Sequence, residues 1–252
     1  MKKLLVILLL FGTFIHQSEA KIQAGVGITA GPCFGRWNNQ FLHSKLSSAG
    51  GTLGFQTGAH AGIQGRIWFN KFIGINLAAE FNMGGNRYNR YTGPGGTTII
   101  KQIHKENQLT IPLTAMVGWG NERLRIFLNG GGYFGYNISG KDKSSVTTNG
   151  GQNTTSEGKA NFDTTYQKID AGVRVGAGVQ VYIDKKLKQC ITFDLNYDFG
   201  LTHPLRNGTP AYFATPDKVK LTSSKLMIGI GWLYTFGKSQ AEEKPKRVTD
   251  ME

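Results

Sequence analysis

Between Ile169 and Ile183 every second residue is apolar. Ile169, Ala171, Val173, Val175, Ala177, Val179, Val181 and Ile183 share one side of an extended chain, and Asp170, Gly172, Arg174, Gly176, Gly178, Gln180 and Tyr182 share the other. Side chains alternate across a β-strand with a period of two, so the stretch reads as a strand with one apolar face and one small or polar face. The pattern recurs at about 22–31, 55–67, 73–84, 109–119, 124–138, 191–201 and 226–236. The stretch 124–138 is the least regular, because Gly130, Gly131 and Gly132 interrupt its apolar face. Segments of roughly 10 to 16 residues have the length a tilted strand needs to cross a bilayer.

The connections alternate too. They are long after the first, third, fifth and seventh segments and short after the second (Asn70, Lys71), fourth (Gly120 to Arg123) and sixth (Asp184 to Gln189). That asymmetry is the pattern of barrels with short periplasmic turns and long outer loops, and an even strand count places both termini on the short-turn side. The expected fold is all-β: an eight-stranded antiparallel transmembrane β-barrel.

Alternation alone also suits a soluble barrel with its apolar face inward. The composition of the other face decides between them. A solvated face collects Lys and Glu, whereas here it holds mostly Gly, Gln, Asn and Thr, with lysines confined to loops and strand ends. Such a face fits the filled interior of a narrow barrel, which leaves the apolar face for lipid. The mean hydropathy of −0.26 does not oppose this, because a barrel strand shows lipid only alternate residues. Aromatic residues gather near the two expected interfaces. Trp68, Phe69, Phe72, Trp119, Trp232 and Tyr234 lie at the short-turn end, and Phe81, Phe134, Tyr136, Tyr197 and Phe199 towards the other. Trp68 is the imperfect member, since strict parity points it inward.

Residues 1–20 carry Lys2 and Lys3, an apolar run from Leu4 to Ile15, and Ser18-Glu19-Ala20, the arrangement of a cleaved signal peptide. The run is too short to span a bilayer, and Lys21 after the cleavage point excludes a lipoprotein cysteine. Residues 21–236 form the barrel domain. Residues 237–252 are polar, mixed in charge and expected to be a disordered periplasmic tail. Cys33 and Cys190 are expected as free thiols at opposite ends of the barrel, too far apart for a disulfide. The net charge of +13 comes with no base-reading module, so no nucleic-acid partner is expected.

On the inward face fall His60, Arg66, Glu80, Arg125, Asp170, Arg174, Asp194 and Asp198. Charges in so narrow a space must pair. Folding the sixth and seventh segments about 184–189 places Arg174 opposite Asp198, with Asp194 a diagonal step further, and folding the second and third about Asn70-Lys71 places His60 opposite Glu80. The expected result is a plug of side chains rather than an open channel.

The outer loops invite two readings. The first, second and fourth are net basic through Arg36, Lys45, Arg87, Arg90, Lys101, Lys105, Arg206, Lys218 and Lys220, and Tyr88 and Tyr91 interleave the second. Such loops suit the phosphates of lipopolysaccharide, with Arg87, Arg90, Lys101 and Lys105 as the contacts, or are ordinary solvated charge. An enzyme acting on lipid A would have to draw on His203 and Asp198 near one rim with Ser44 or Ser47, whose spacing forms no motif. Gly25, Gly27 and Gly31, like Gly172, Gly176 and Gly178, lie inside alternating strands and lack nucleotide-loop spacing. His43, His104 and His203 lack ligand spacing. The sites at Asn137, Asn153 and Asn207 match a glycosylation pattern by chance. No catalytic residue, cofactor or metal is expected.

Four stretches carry a resemblance: Ile111-Pro112-Leu113, Gly132 to Tyr136, Asp170 to Gly178, and Tyr197 to Leu201. With the strands around them they resemble the PorT-like family of outer-membrane β-barrel proteins of Bacteroidetes-type bacteria, over about 22–236. The resemblance implies the barrel and its membrane, and through the named member a link to a protein-secretion apparatus. It brings no catalytic residues. Such barrels usually stop near the last strand, whereas here Phe236 is followed by residues 237–252. The expected function is a non-enzymatic outer-membrane barrel with a structural or accessory role in the envelope, its partners being membrane lipid and lipopolysaccharide. The alternatives are an accessory subunit of a secretion or assembly machine and, behind it, a lipid A-modifying enzyme.

Overall fold

The computed structural model describes residues 22–38, 52–92, 98–121, 123–147, 153–184, 186–205 and 222–236. The expected signal peptide at 1–20 and the expected tail at 237–252, with Lys45, Ser44, Ser47, His43, Arg206, Lys218 and Lys220, lie outside them.

The described residues form strands β1 (Gln23–Asn38), β2 (Thr52–Trp68), β3 (Ile73–Thr92), β4 (Thr98–Gly120), β5 (Leu124–Thr147), β6 (Asn153–Lys159), β7 (Ile169–Tyr182), β8 (Gln189–Gly200) and β9 (Thr222–Phe236). Eight of them close a ring of antiparallel neighbours in the order β1, β2, β3, β4, β5, β7, β8, β9 and back to β1. Closure gives the backbone groups of each strand partners on both sides, the condition for crossing a membrane without an unpaired edge. The ninth, β6, lies outside the ring and pairs with the far end of β5 alone.

The outward face is apolar. Val26, Ile28, Ile63, Leu77, Leu113, Leu128 and Ile230 are all more than half exposed, while the buried set is largely polar and includes Arg66, Glu80, Gln108, Arg174, Gln180 and Asp198. This inversion of a soluble core follows from the solvent: lipid takes up the apolar side chains, and the enclosed space is left to groups that hydrogen-bond one another. Inward glycines make the room. A Cβ at Gly178 would stand 2.4 Å from the Phe127 ring and 2.7 Å from Asp194.

All three short turns use the same device. The side-chain oxygen of an Asn or Asp early in the turn accepts backbone N–H groups: Asn70 from Phe72 and Ile73, Asn121 from Arg123 and Leu124, Asp184 from Lys188 and Gln189. Leu187, with φ of +53°, turns its side chain back into the barrel. Left-handed backbone at a leucine is costly and is held here by burial against Tyr182, Cys190 and Leu233. Cys33 lies within β1 beside Met227, Cys190 in β8 beside Leu233, and both are buried free thiols. Met227 and Leu233 are six residues apart on β9, about 20 Å along a strand.

At the long-loop end several strands run well past the apolar band. β3 and β4 continue as a hairpin, and β5 continues beside β4 as far as Thr147. With β6 they build a projecting blade.

Candidate functional site

The interior is packed in layers. At the short-turn end Trp68, 2 % exposed, packs with Met116 and Phe127, its ring edge-on to Phe127 at 6.2 Å. The Arg125 guanidinium lies 4.3 Å over Trp68, and that of Arg66 4.8 Å over Phe127. Trp68 therefore follows strict parity and leaves the interfacial girdle, where Phe69, Phe72, Trp119 and Trp232 remain outward. An indole inside can close the barrel end and stack on a buried cation, which offsets that cation's desolvation.

The next layers are ionic. Arg66 Nη2 donates to both oxygens of Asp194 at 2.8 and 2.9 Å. Arg174 donates through Nε and Nη2 to Asp198 at 2.6 and 2.9 Å, and through Nη1 and Nη2 to Glu80 at 2.9 and 2.8 Å. Register places Arg174 directly opposite Asp198. Asp194 lies opposite Gly178 and reaches across the lumen to Arg66 rather than to Arg174. The pairing of His60 with Glu80 is corrected: His60 stands opposite Asn82, and Glu80 opposite Gly62. The turn is centred on Lys71, with Trp68 paired to Gly74 and Phe69 N–H donating to the Ile73 carbonyl, whereas His60 opposite Glu80 needs a centre at Asn70, so the partner of His60 moves by two residues. The space left at the centre, between His60, Glu80, Arg174 and Met227, is about 10 Å³, room for about one water.

Towards the long loops Asp170 accepts from Thr202, Tyr133, Ser223 and Gln108. Lys225 Nζ lies 3.0 Å from Glu106 and donates to Gln108. Above them His104, 7 % exposed, meets Asp142 at 2.6 Å through Nδ1 and stacks on Tyr166 at 4.2 Å. Its Nε2 is 3.7 Å from Glu106. The Tyr166 hydroxyl donates to the same Asp142 carboxylate at 3.1 Å. Trp37, Phe162 and Leu205 complete this cap. Burial alone would lower the His104 pKa, but the Asp142 and Glu106 carboxylates overcome it and raise it to about 8. Burial alone would raise the Glu106 pKa, but Lys225 and His104 overcome it and hold it at about 2.

Sequence reading missed Lys225, Glu106, Gln108 and His104 as interior groups. Each has inward parity, one, three or five residues from an outward leucine (Leu226 or Leu109), but it lies beyond the end assigned to its strand.

On the blade, Arg87 pairs with Ile103, Lys101 with Asn89 and Lys105 with Gly85, so these basic residues share one face. Arg90 pairs with Ile100 along the same hairpin. His203 binds the Leu205 backbone, and both Asp198 oxygens are held by Arg174, so the structure does not bring His203 and Asp198 together. No group of three or more His, Cys, Asp or Glu among the described residues could hold a metal.

A closed antiparallel ring with an apolar wall and a polar, filled lumen defines a transmembrane β-barrel. The family described as outer membrane protein beta-barrel domain matches residues 16–206, and the chain belongs to it. No curated protein sequence matches it. Among solved structures it is similar to OprG from Pseudomonas aeruginosa, with 10% identity over 86% of this chain and 96% of that one and a TM-score of 0.40. It is also similar to outer membrane protein W of E. coli, with 16% identity over 87% and 100% of the two chains and a TM-score of 0.37. A third is the outer membrane protease OmpT from Escherichia coli, with 11% identity over 86% and 97% and a TM-score of 0.30.

Proposed function

We propose that this chain is a sealed, non-conducting and non-enzymatic outer-membrane barrel with a structural or accessory role in the cell envelope, its termini periplasmic and its long-loop rim at the cell surface. The observation that carries the reading is the lumen. Ion pairs fill its middle, Trp68, Met116, Phe127 and Leu187 close one end, and Trp37, His104, Phe162 and Leu205 close the other. A solute path needs connected space, and an eight-stranded barrel is just wide enough to be filled by its own side chains. Planar-bilayer recording of the purified protein is the test. Silence is expected; steady, porin-like conductance that grows on Arg174→Ala overturns the reading.

A role as accessory subunit of a secretion or assembly machine, in line with the PorT-like resemblance, is the second reading. What favours it is the blade, whose last strand β6 pairs on one side only among the described residues. A stoichiometric partner recovered in mild detergent, and lost when residues 143–157 are replaced by a short turn, would promote it.

A further inference from the structure

The outward face of the blade carries a row of three lysines. Lys105 on β4 pairs with Lys141 on β5, and Lys141 pairs with Lys159 on β6. Like charges directly opposite one another repel, so the row costs stability unless something anionic neutralises it. The adjoining rows do so only in part. Lys143 stands between Ile103 and Glu157, Lys101 beside Ser145, and the Lys141 to Glu157 approach is 4.0 Å between two exposed groups. A pair so exposed is weak.

The position of the row is as informative as its charge. Lys105 lies four residues, about 13 Å along a strand, beyond Leu109, where the exposed apolar wall of β4 begins. The groove below the lysines runs down past Asn107 and Ser139 to Ile138, which is 55% exposed. Ile138 is the extra residue of a β-bulge: Gln108 pairs with Asn137 and Asn107 with Ser139. The bulge reverses the parity of β5 and brings Lys141 and Lys143 onto the outer side, while Asp142 turns in to His104. One continuous wall is thus apolar at hydrocarbon depth and cationic at headgroup depth.

We propose that this face binds the phosphorylated headgroup of lipopolysaccharide, with Lys105, Lys141 and Lys159 as phosphate contacts and the wall around Ile138 and Leu109 against its acyl chains. The assignment rests on the long-loop rim facing the lipopolysaccharide leaflet, not on the lumen being closed, so conductance does not bear on it. Three aligned ammonium groups match a ligand carrying more than one phosphate, and the apolar strip beneath selects a lipid over a free anion.

The test titrates the purified protein in zwitterionic detergent with intact lipopolysaccharide, with lipopolysaccharide chemically stripped of its phosphates, with phosphatidylglycerol vesicles and with inorganic phosphate. Intact lipopolysaccharide binds, and Lys105→Gln/Lys141→Gln/Lys159→Gln weakens it by roughly tenfold or more, as losing several cations at an anionic surface should. Dephosphorylation weakens binding to the same extent. Lys186→Gln/Lys188→Gln, which removes exposed lysines from the short-turn end, leaves it unchanged. Retained heat-modifiable gel migration shows that each variant is folded. The proposal fails if the triple variant binds like the parent or if dephosphorylated lipid binds equally well. It also fails if the short-turn variant loses as much, or if phosphatidylglycerol binds as tightly and free phosphate displaces it.

Discussion

Arg174 is 2 % exposed and satisfies two carboxylates at once, each through two hydrogen bonds. Truncating it strands the buried carboxylates of Glu80 and Asp198 without the cation that pairs them. Arg174→Ala should therefore cost about 3–5 kcal/mol in urea unfolding from detergent or lipid, with part of the loss recovered by adding Glu80→Gln and Asp198→Asn. Loss of less than about 1 kcal/mol would show that the pair is solvated. His104 makes a pH prediction. Its folded pKa, about 8, lies above the ordinary histidine value of 6.5, so its stabilisation is complete below about pH 6.5 and disappears as pH rises through 8. A shift of this size corresponds to about 2 kcal/mol. Imidazole titration by NMR should give a midpoint near 8, and His104→Gln should abolish the loss of stability between pH 6.5 and 8.5. A midpoint at the unperturbed value would place the ring in water.

At the scale of elements, the short turns set register and the rim bulge sets facing. Asn70 is buried and its Oδ1 accepts two N–H groups, so Asn70→Ala should cost about 1–2 kcal/mol through the two unsatisfied donors. Refolding yield and urea midpoint would measure it. Asn, Gly and Asp between alternating segments made these turns legible, but not which residues close them. A two-residue error follows, and it moved the expected partner of Glu80 from Arg174 on the far wall to His60 on the next strand. Deleting Ile138 should remove the bulge. Gln108 would still face Asn137 and Asn107 would still face Ser139, so Lys141 and Lys143 stay on the outer side and the folded, heat-modifiable form is retained; its loss would show that register beyond the bulge depends on the extra residue.

For the whole molecule, charge balance links the layers. Among the described residues the buried charged set contains four permanent cations (Arg66, Arg125, Arg174, Lys225) and five carboxylates (Glu80, Glu106, Asp170, Asp194, Asp198), and protonated His104 supplies the fifth positive charge. The two signs then balance among the buried groups of the lumen and its rim, where an uncompensated charge would be costly. Local sequence determined the eight strands of the ring, the alternation of long and short connections and the face side chains take within the apolar band, because a period of two is a property of the extended chain itself. It also determined the pairing of Arg174 with Asp198, since those strands are hairpin neighbours joined by a short turn. The tertiary structure decided the rest. Closing and shearing the ring brings Glu80 to Arg174, and Asp194 to Arg66 128 residues away. The β5 bulge and the pairing of β6 align lysines from two loops that a count of charge per loop keeps separate. Contacts across a lumen and along a rim depend on ring size, stagger and bulges, and no stretch of sequence encodes these by itself.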